Sequence, residues 1–251
     1  MMPATISLIA LAVIFGGALL GMFLRGGLPQ SHLGTDTRDV VRLGTGLIGT
    51  LSALVVGLMI ASAKGSHDTQ SGYISRISAD VVLLDRILSD YGPEANEARD
   101  LLRRGIAELI DRIWREGDAG SASAAPFAAA GTAQAAFQKI QTLSPKNDEQ
   151  RSLQARAVTI ASDMEQTRFL LSARAANPVP APFLAILVAW LAIIFASFSL
   201  FAPTNSTLIV VLFLLAASAA GAIFLILDLS QPFSGLMTIS NAPLRSAIAP
   251  R

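Results

Sequence analysis

Four long apolar stretches, two near each end of the chain, limit the folds that this sequence can adopt. None contains a charged residue, and each is close to the ~20 residues that an α-helix needs to cross a bilayer. Charged residues make up only 15% of the 251-residue chain, whereas soluble domains carry roughly 25%. The sequence therefore predicts an all-α protein with four transmembrane helices. The stretches are Ile6–Leu24, Leu43–Ala63, Phe183–Phe201 and Leu208–Leu227.

The middle of the chain is charged, and its apolar residues lie three or four positions apart, which is the spacing of amphipathic helices. Gly92-Pro93-Glu94 predicts a break between the first two of these helices, because proline suits the first turn of a new helix. The Gly/Ala/Ser-rich run from Asp118 to Pro126 predicts a linker. The apolar stripes that we expect to form a core are Ile74, Ile77, Val81, Leu84, Leu88 and Tyr91; Ala98, Leu102, Ile106, Leu109 and Ile113; Ala133, Phe137, Ile140 and Leu143; and Leu153, Ala157, Ile160, Met164, Thr167 and Leu171.

These patterns divide the chain into three parts. A transmembrane hairpin covers residues 1–64, a helical cytoplasmic domain covers residues 65–178, and a second transmembrane hairpin with a C-terminal tail covers residues 179–251. The helical domain is thus inserted between transmembrane helices 2 and 3. Four crossings place both termini and this domain on one side of the membrane.

Positive charges favour the cytoplasmic side of a membrane. The opposite side would hold Arg25 and Arg38, with Arg42 at the mouth of the next helix, whereas the last connector, residues 202–206, has no charge. We therefore expect a multi-pass protein of the plasma (inner) membrane with cytoplasmic termini. The basic residues that support this orientation are Lys64, Arg76, Arg168, Arg174, Arg245 and Arg251.

Small residues recur at every fourth position of the second transmembrane helix. They are Thr45, Gly49, Ala53, Gly57 and Ala61. Such a stripe allows two helix backbones to approach closely, which is the more frequent use of this pattern. It can also line a central path, because small side chains leave room there. In an oligomer both interpretations can hold together.

The fourth transmembrane helix ends in an acidic residue and a turn, a segment that we call the exit motif, Asp228–Gly235. A carboxylate at the edge of a membrane helix is costly unless it faces water or a partner. Pro232 stops the helix, and Gly235 permits a tight turn. The motif indicates either an ordinary helix end or a gate that faces an aqueous cavity. In the expected topology Lys64 leaves the second helix on the same side as Asp228.

The sequence shows no pattern of catalysis or of nucleic-acid binding. The chain has no cysteine and a net charge of +1, so it has neither thiolate chemistry nor a strongly basic surface for nucleic acid. Nucleotide-binding, serine-hydrolase and zinc-protease motifs are absent. We expect no enzyme activity, no cofactor and no metal site.

Two junctions of the chain resemble the bacterial bestrophin-like family of unknown function. One runs from Ala53 to Ala63 and on through Tyr73 and Arg76; the other is the exit motif, which is followed by Ile239-Ser240. Members share the two-plus-two helix layout and an acid followed by Pro-Phe-Ser-Gly. The acid is usually Glu in the family, whereas this chain has Asp228. The family name implies kinship with bestrophin anion channels, which are pentamers with a central pore.

We therefore expect a homo-oligomer that passes ions or a small solute and contacts membrane lipids. The alternative is a membrane-anchored sensor or scaffold whose cytoplasmic domain binds a protein partner. Nucleic acid is not an expected partner. The residues that we expect at the pore or gate are Gly49, Ala53, Gly57, Ala61, Lys64, Asp228, Pro232, Phe233, Ser234 and Gly235.

Overall fold

The computed structural model describes residues 3–29, 34–118, 131–175, 181–203 and 205–249. Their regular structure is entirely helical, which confirms the predicted fold class. Most of the expected linker, from residue 119 onward, lies outside the described residues. The helices are α1 (Pro3–Gly27), α2 (Thr35–Tyr91), α3 (Asn96–Asp118), α4 (Gly131–Gln141), α5 (Asp148–Ala175), α6 (Ala181–Phe201), α7 (Ser206–Leu229) and α8 (Ala242–Ala247), with a short 3₁₀ turn at Pro93–Ala95.

The chain forms two compact units. The membrane unit comprises residues 1–65 and 179–230, and the bundle unit comprises residues 66–178 and 231–251. Helices α1, α2, α6 and α7 are long and apolar enough to cross a membrane. The tail from residue 231 onward belongs to the bundle unit, whereas the sequence had suggested that it accompanies the second transmembrane hairpin.

Helix α2 continues far beyond the apolar stretch. We expected the second transmembrane helix to end near Ala63, but α2 is one helix of 57 residues. A glycine such as Gly65 costs a helix only about 1 kcal/mol, and the polar residues that follow can all remain helical. The helix ends at Tyr91, and the Gly92 that follows has a φ of 118°, which is readily adopted only by glycine; the next residue is Pro93. The predicted break at this position is confirmed.

In the membrane unit the tightest packing lies between α1 and α6. A Cβ atom added at Gly17 would lie 2.6 Å from the carbonyl oxygen of Ala192, and one at Gly21 would overlap the carbonyl oxygen of Ala196. The two glycines therefore bring the helix backbones into contact, as small residues four positions apart commonly do in membranes. The buried apolar residues of this unit are Ala10, Ile14, Ala18, Met59, Ala63, Leu187, Ile194, Phe195, Leu212, Ala216, Ile223 and Ile226.

The bundle unit has its own apolar core, built from the stripes that the sequence predicts. Every residue of the first two stripes is buried, from Ile74 to Tyr91 on α2 and from Ala98 to Ile113 on α3. Ile140 follows on α4, and Ala157 and Leu171 follow on α5. Leu153, Ile160, Met164 and Phe137 are partly buried against this core. The 3–4 spacing thus identified the packed faces correctly.

A charged network joins α2 to α3 at the edge of this core. The guanidinium of Arg99 donates to both carboxylate oxygens of Asp85, at 3.0 and 3.1 Å. Arg103 donates to the same carboxylate at 3.3 Å. The Asp85 and Arg99 side chains are each 22% exposed, and the hydrogen bonding of the Arg99 guanidinium to the Asp85 carboxylate is the main reason why the pKa of Arg99 is raised. Two-pronged contacts of this kind are stronger than single surface ion pairs.

We expect Asp85→Asn to lower the Tm of the purified protein by roughly 4–8 °C, because the substitution removes the charge that two arginines share. This shift corresponds to about 2 kcal/mol for hydrogen bonds to a charged group in a chain of this size. Asp90→Asn, a matched change at an exposed position of α2, should shift the Tm by less than about 1 °C. Equal shifts for the two variants in a thermal unfolding experiment would contradict the role of this network.

Candidate functional site

One face of the membrane part of α2 carries small residues and is exposed. The face comprises Gly46, Thr50, Ala53, Gly57 and Ala61, and all five are exposed in the chain. An added Cβ at Gly46 or Gly57 would meet no other atom within 4 Å. Unlike Gly17 and Gly21 of α1, Gly46 and Gly57 contact no other helix in the part of the chain that the structure describes.

The small residues at every fourth position of α2 do not all lie on this face. The first two of them, Thr45 and Gly49, lie off it. Thr45 is only 8% exposed, and its hydroxyl donates to the carbonyl oxygen of Val41 at 2.7 Å. Gly49 is half-buried, whereas Ala53, Gly57 and Ala61 are exposed. A step of four residues turns the helix by about 40° more than a full turn, so an every-fourth stripe winds around α2. The exposed small face instead follows the true helical repeat.

Large leucines occupy the neighbouring surface of α2. Leu47 is 64% exposed, and Leu54 and Leu58 are each 69% exposed. In the described part of the membrane unit, α2 therefore combines a small face and a leucine face, neither of which is covered by its own chain. Lys64 follows this surface and is itself exposed.

The other predicted group, the exit motif, begins inside the packed part of α7. Asp228 is only 2% exposed, so the carboxylate that we expected at the interface is buried in this chain. The hydroxyl of Ser230 donates to the carbonyl oxygen of Ile226 at 2.7 Å, and the Ser230 N–H donates to the same oxygen at 3.2 Å. These bonds keep the backbone in a helical conformation as far as Ser230, the last residue of the membrane unit.

Pro232, Phe233, Ser234 and Gly235 form a closed loop in the bundle unit. The N–H of Ile239 donates to the carbonyl oxygen of Pro232 at 2.7 Å, and Gly235 has a φ of 98°, which favours glycine. The hydroxyl of Ser234 donates to the side-chain oxygen of Gln231 at 3.3 Å. The structure thus brings these four predicted residues together, with the glycine in the role that the sequence suggested.

Trp114 of α3, which the sequence analysis did not single out, contacts this loop. Its indole N–H donates to the carbonyl oxygen of Ile239 at 2.9 Å. Its ring meets that of Phe233 edge to face, with the ring centres 5.5 Å apart. Only its position, one residue after the apolar stripe ends at Ile113, marks Trp114 in the sequence.

Arg25 is a second residue whose role sequence reasoning missed. Its guanidinium donates to the carbonyl oxygen of Ala202, just after α6 ends at Phe201. A cation at this position satisfies a free carbonyl and favours the negative end of the helix dipole. The sequence analysis used Arg25 only as a guide to orientation, but it also ties the end of α1 to the connector between α6 and α7.

The bundle unit contains an apolar cavity of about 50 Å³. Leu84, Ile106, Phe137, Met164 and Arg168 are among the residues that line it. The guanidinium of Arg168 pairs with the carboxylate of Glu165 at 2.7 Å. Among the described residues, no group of three or more histidine or acidic side chains is placed to hold a metal ion.

Comparison with known proteins places this architecture in a family. The Bestrophin-like domain matches residues 12–244. A crystal structure of a bacterial Bestrophin homolog from Klebsiella pneumoniae, determined as a point mutant, superposes with a TM-score of 0.63 at 15% identity and covers 96% of each chain. At that identity the likeness concerns the fold alone, and no curated protein matches the sequence. Because the matched domain spans nearly the whole chain, the protein is a member of the Bestrophin-like family.

Proposed function

We propose that this chain is one subunit of a homo-oligomeric membrane pore that passes ions or a small solute. The observation that carries the proposal is the exposed small face of α2, Gly46 to Ala61, where a Cβ added at either glycine would meet no atom within 4 Å in the described residues. A face of glycine and alanine gives lipid little surface to contact. It instead allows another helix to approach closely or leaves room for an aqueous path.

The two faces of α2 then have separate roles. The leucine face, Leu47, Leu54 and Leu58, contacts a neighbouring subunit or lipid. The small face points towards the axis of the ring, where the absence of bulky side chains leaves a path. This arrangement needs several copies, because the α2 helix of one chain cannot enclose a path. Membership of the Bestrophin-like family, whose name implies kinship with oligomeric bestrophin channels, supports such an assembly.

The bundle unit lies in the cytoplasm in this proposal, as do both chain termini. The excess of Lys and Arg at the corresponding helix ends supports that orientation. The protein is then a multi-pass protein of the inner membrane. Asp228, together with the residues of the exit motif that follow it, marks the cytoplasmic end of α7, and Lys64 marks the cytoplasmic limit of the membrane part of α2.

Reconstitution in liposomes tests the pore directly. The purified protein, with its subunit number measured by native mass spectrometry, is incorporated into vesicles that are loaded in turn with Na⁺, K⁺ and Cl⁻ reporters. We expect flux of at least one of these ions above that of empty vesicles. A folded oligomer that passes none of them, or a protein that is a stable monomer in membranes, would overturn the proposal.

A second candidate function is that of a membrane-anchored sensor, and the apolar cavity of the bundle unit favours it. A small apolar effector could enter the cavity, and the bundle surface could then contact a protein partner. We expect binding of such a compound to raise the Tm of the wild type, but not that of Ala161→Phe, which fills the cavity from a residue in its lining. Identical shifts in both proteins would exclude the cavity as the binding site.

A further inference from the structure

The cavity of the bundle unit lies among four helices, and small residues keep it open. Its lining includes Gly105 of α3, Ala133 and Ala136 of α4, and Ala161 of α5. Ala136 and Ala161 are buried, so the space beside them belongs to the interior of the bundle. Protein interiors leave few voids larger than a water molecule, and a large side chain at either alanine would fill this one.

The cavity has the size of a short hydrocarbon chain. One water-sized group needs roughly 10–15 Å³, so a cavity of about 50 Å³ has room for about four of them. Water itself suits this space poorly, because a buried water needs two to four polar partners and twelve of the fourteen residues in the lining are apolar. Met164 is one of them, and its flexible side chain can adapt to occupants of different shape. The space therefore fits an aliphatic chain of about three to five carbons.

The two charged residues in this lining are Glu165 and Arg168. The guanidinium of Arg168 donates to the carboxylate of Glu165 at 2.7 Å. The Arg168 side chain is only 12% exposed, whereas that of Glu165 is 43% exposed. A guanidinium has five N–H donors, and this is the only hydrogen bond that the Arg168 guanidinium makes within the described residues. The cation is therefore the more buried of the two charges, and it has donors to spare.

A second ion pair on α5 has the same spacing but lies away from the cavity. Arg151 pairs with Asp148 at 2.6 Å, again three residues apart, and their side chains are 69% and 95% exposed. Water can reach the other donors of Arg151. Little water reaches Arg168, and a hydrogen bond between charged groups is stronger where water is excluded. Of the two arginines, Arg168 is thus the one suited to bind an anionic group.

We propose that the cavity is a binding site for a short-chain carboxylate, whose charged group pairs with Arg168 and whose aliphatic chain lies among the apolar residues. Because a guanidinium has donors on two edges, it can bind a second carboxylate beside Glu165. An alkylammonium ligand would instead need Glu165, which is already paired and open to water. The site deepens the candidate sensor function, since it names the class of effector, and it does not require a conducting pore.

Calorimetric titration of the purified full-length protein with sodium pentanoate tests the role of the charge. Pentanamide, which has the same size and no charge, is the control ligand. We expect pentanoate to bind at least about tenfold more tightly than pentanamide, because hydrogen bonds between charged groups are the stronger ones. Arg168→Gln should remove this preference, and Arg168→Lys should keep part of it. Arg151→Gln, the matched change in the exposed pair, should bind both compounds as the wild type does.

Two further substitutions test the position of the ligand. Ala161→Phe places a ring in the cavity and should weaken pentanoate binding at least about tenfold through a steric clash. Ala155→Phe adds the same ring at an exposed position of α5 and should have no effect. Glu165→Gln removes a negative charge beside the ligand, so it should tighten pentanoate binding by about two- to fivefold and leave pentanamide binding unchanged. If Arg168→Gln fails to fold, as judged by circular dichroism, Arg168→Lys and Glu165→Gln decide the result.

The outcomes distinguish this site from the sensor function. Equal binding of pentanoate and pentanamide overturns the carboxylate assignment and leaves the cavity as a site for an uncharged effector. Pentanoate binding that neither Arg168→Gln nor Ala161→Phe weakens overturns the site itself. If neither compound binds, the assignment fails, and the sensor function fails with it only if uncharged apolar compounds also leave the Tm unchanged.

Discussion

Gly21→Leu should abolish folding of the membrane unit. The first atom of the new side chain would overlap the carbonyl oxygen of Ala196 on α6, and backbone atoms cannot be displaced as a flexible side chain can. Separating α1 from α6 would also open the core around Ile14 and Leu187, both of which are fully buried. We expect a loss of more than about 4 kcal/mol, seen as a failure to obtain monodisperse protein.

Gly16→Leu is the matched control, because Gly16 lies on the same helix and an added Cβ there would meet nothing within 4 Å. Its yield and Tm should remain close to those of the wild type. Gly17→Ala should give an intermediate result, since its Cβ would lie 2.6 Å from the Ala192 carbonyl oxygen. If Gly21→Leu folded as well as Gly16→Leu, the close contact between α1 and α6 would have to be rejected.

Gly57→Leu should have the opposite profile, with normal folding and a loss of flux. The glycine has open space within its own chain, and leucine is the better helix former by nearly 1 kcal/mol, so helicity and Tm should not fall. In the proposed pore each subunit adds an isobutyl group to the path. We expect flux in liposomes to fall by at least about tenfold, as is typical of an apolar constriction.

Gly44→Leu provides the control for this experiment. Gly44 is exposed on α2 and has equally open space, but it lies roughly 140° around the helix axis from Gly57. It should leave flux within about twofold of the wild type. Should Gly57→Leu retain both wild-type assembly and wild-type flux, the small face of α2 faces lipid, and the pore proposal loses its principal support.

The glycines of α1 and α2 show how far helix contacts could be predicted from the sequence. Gly17 and Gly21 have the four-residue spacing of a helix-packing motif within an apolar stretch, and that signal could have identified them. The spacing on α2 is similar, yet its glycines meet no other helix among the residues that the structure describes. The spacing shows that another helix can approach closely. Only the positions of the other helices show where such a contact occurs.

For the exit motif, the sequence predicted local geometry but not its partners. Gly235 occupies the turn that its position suggested, because a positive φ is a property of a few adjacent residues. The contact with Trp114 joins residues more than a hundred positions apart, and no local pattern encodes it. The roles of Asp228 and Lys64 in a pore or gate stay predictions.

The sequence by itself determined the helical class, the four membrane helices and the packed faces of the bundle, from Ile74 on α2 to Leu171 on α5. These features follow from hydrophobic burial combined with the period of the α-helix, and both can be read within one segment. Only the tertiary structure decided that α2 runs unbroken to Tyr91, that α1 packs on α6 through glycines, and that Trp114 contacts Phe233 and Ile239. Each of these depends on the free energy of contacts between distant segments, which outweighs the weak preferences of single residues.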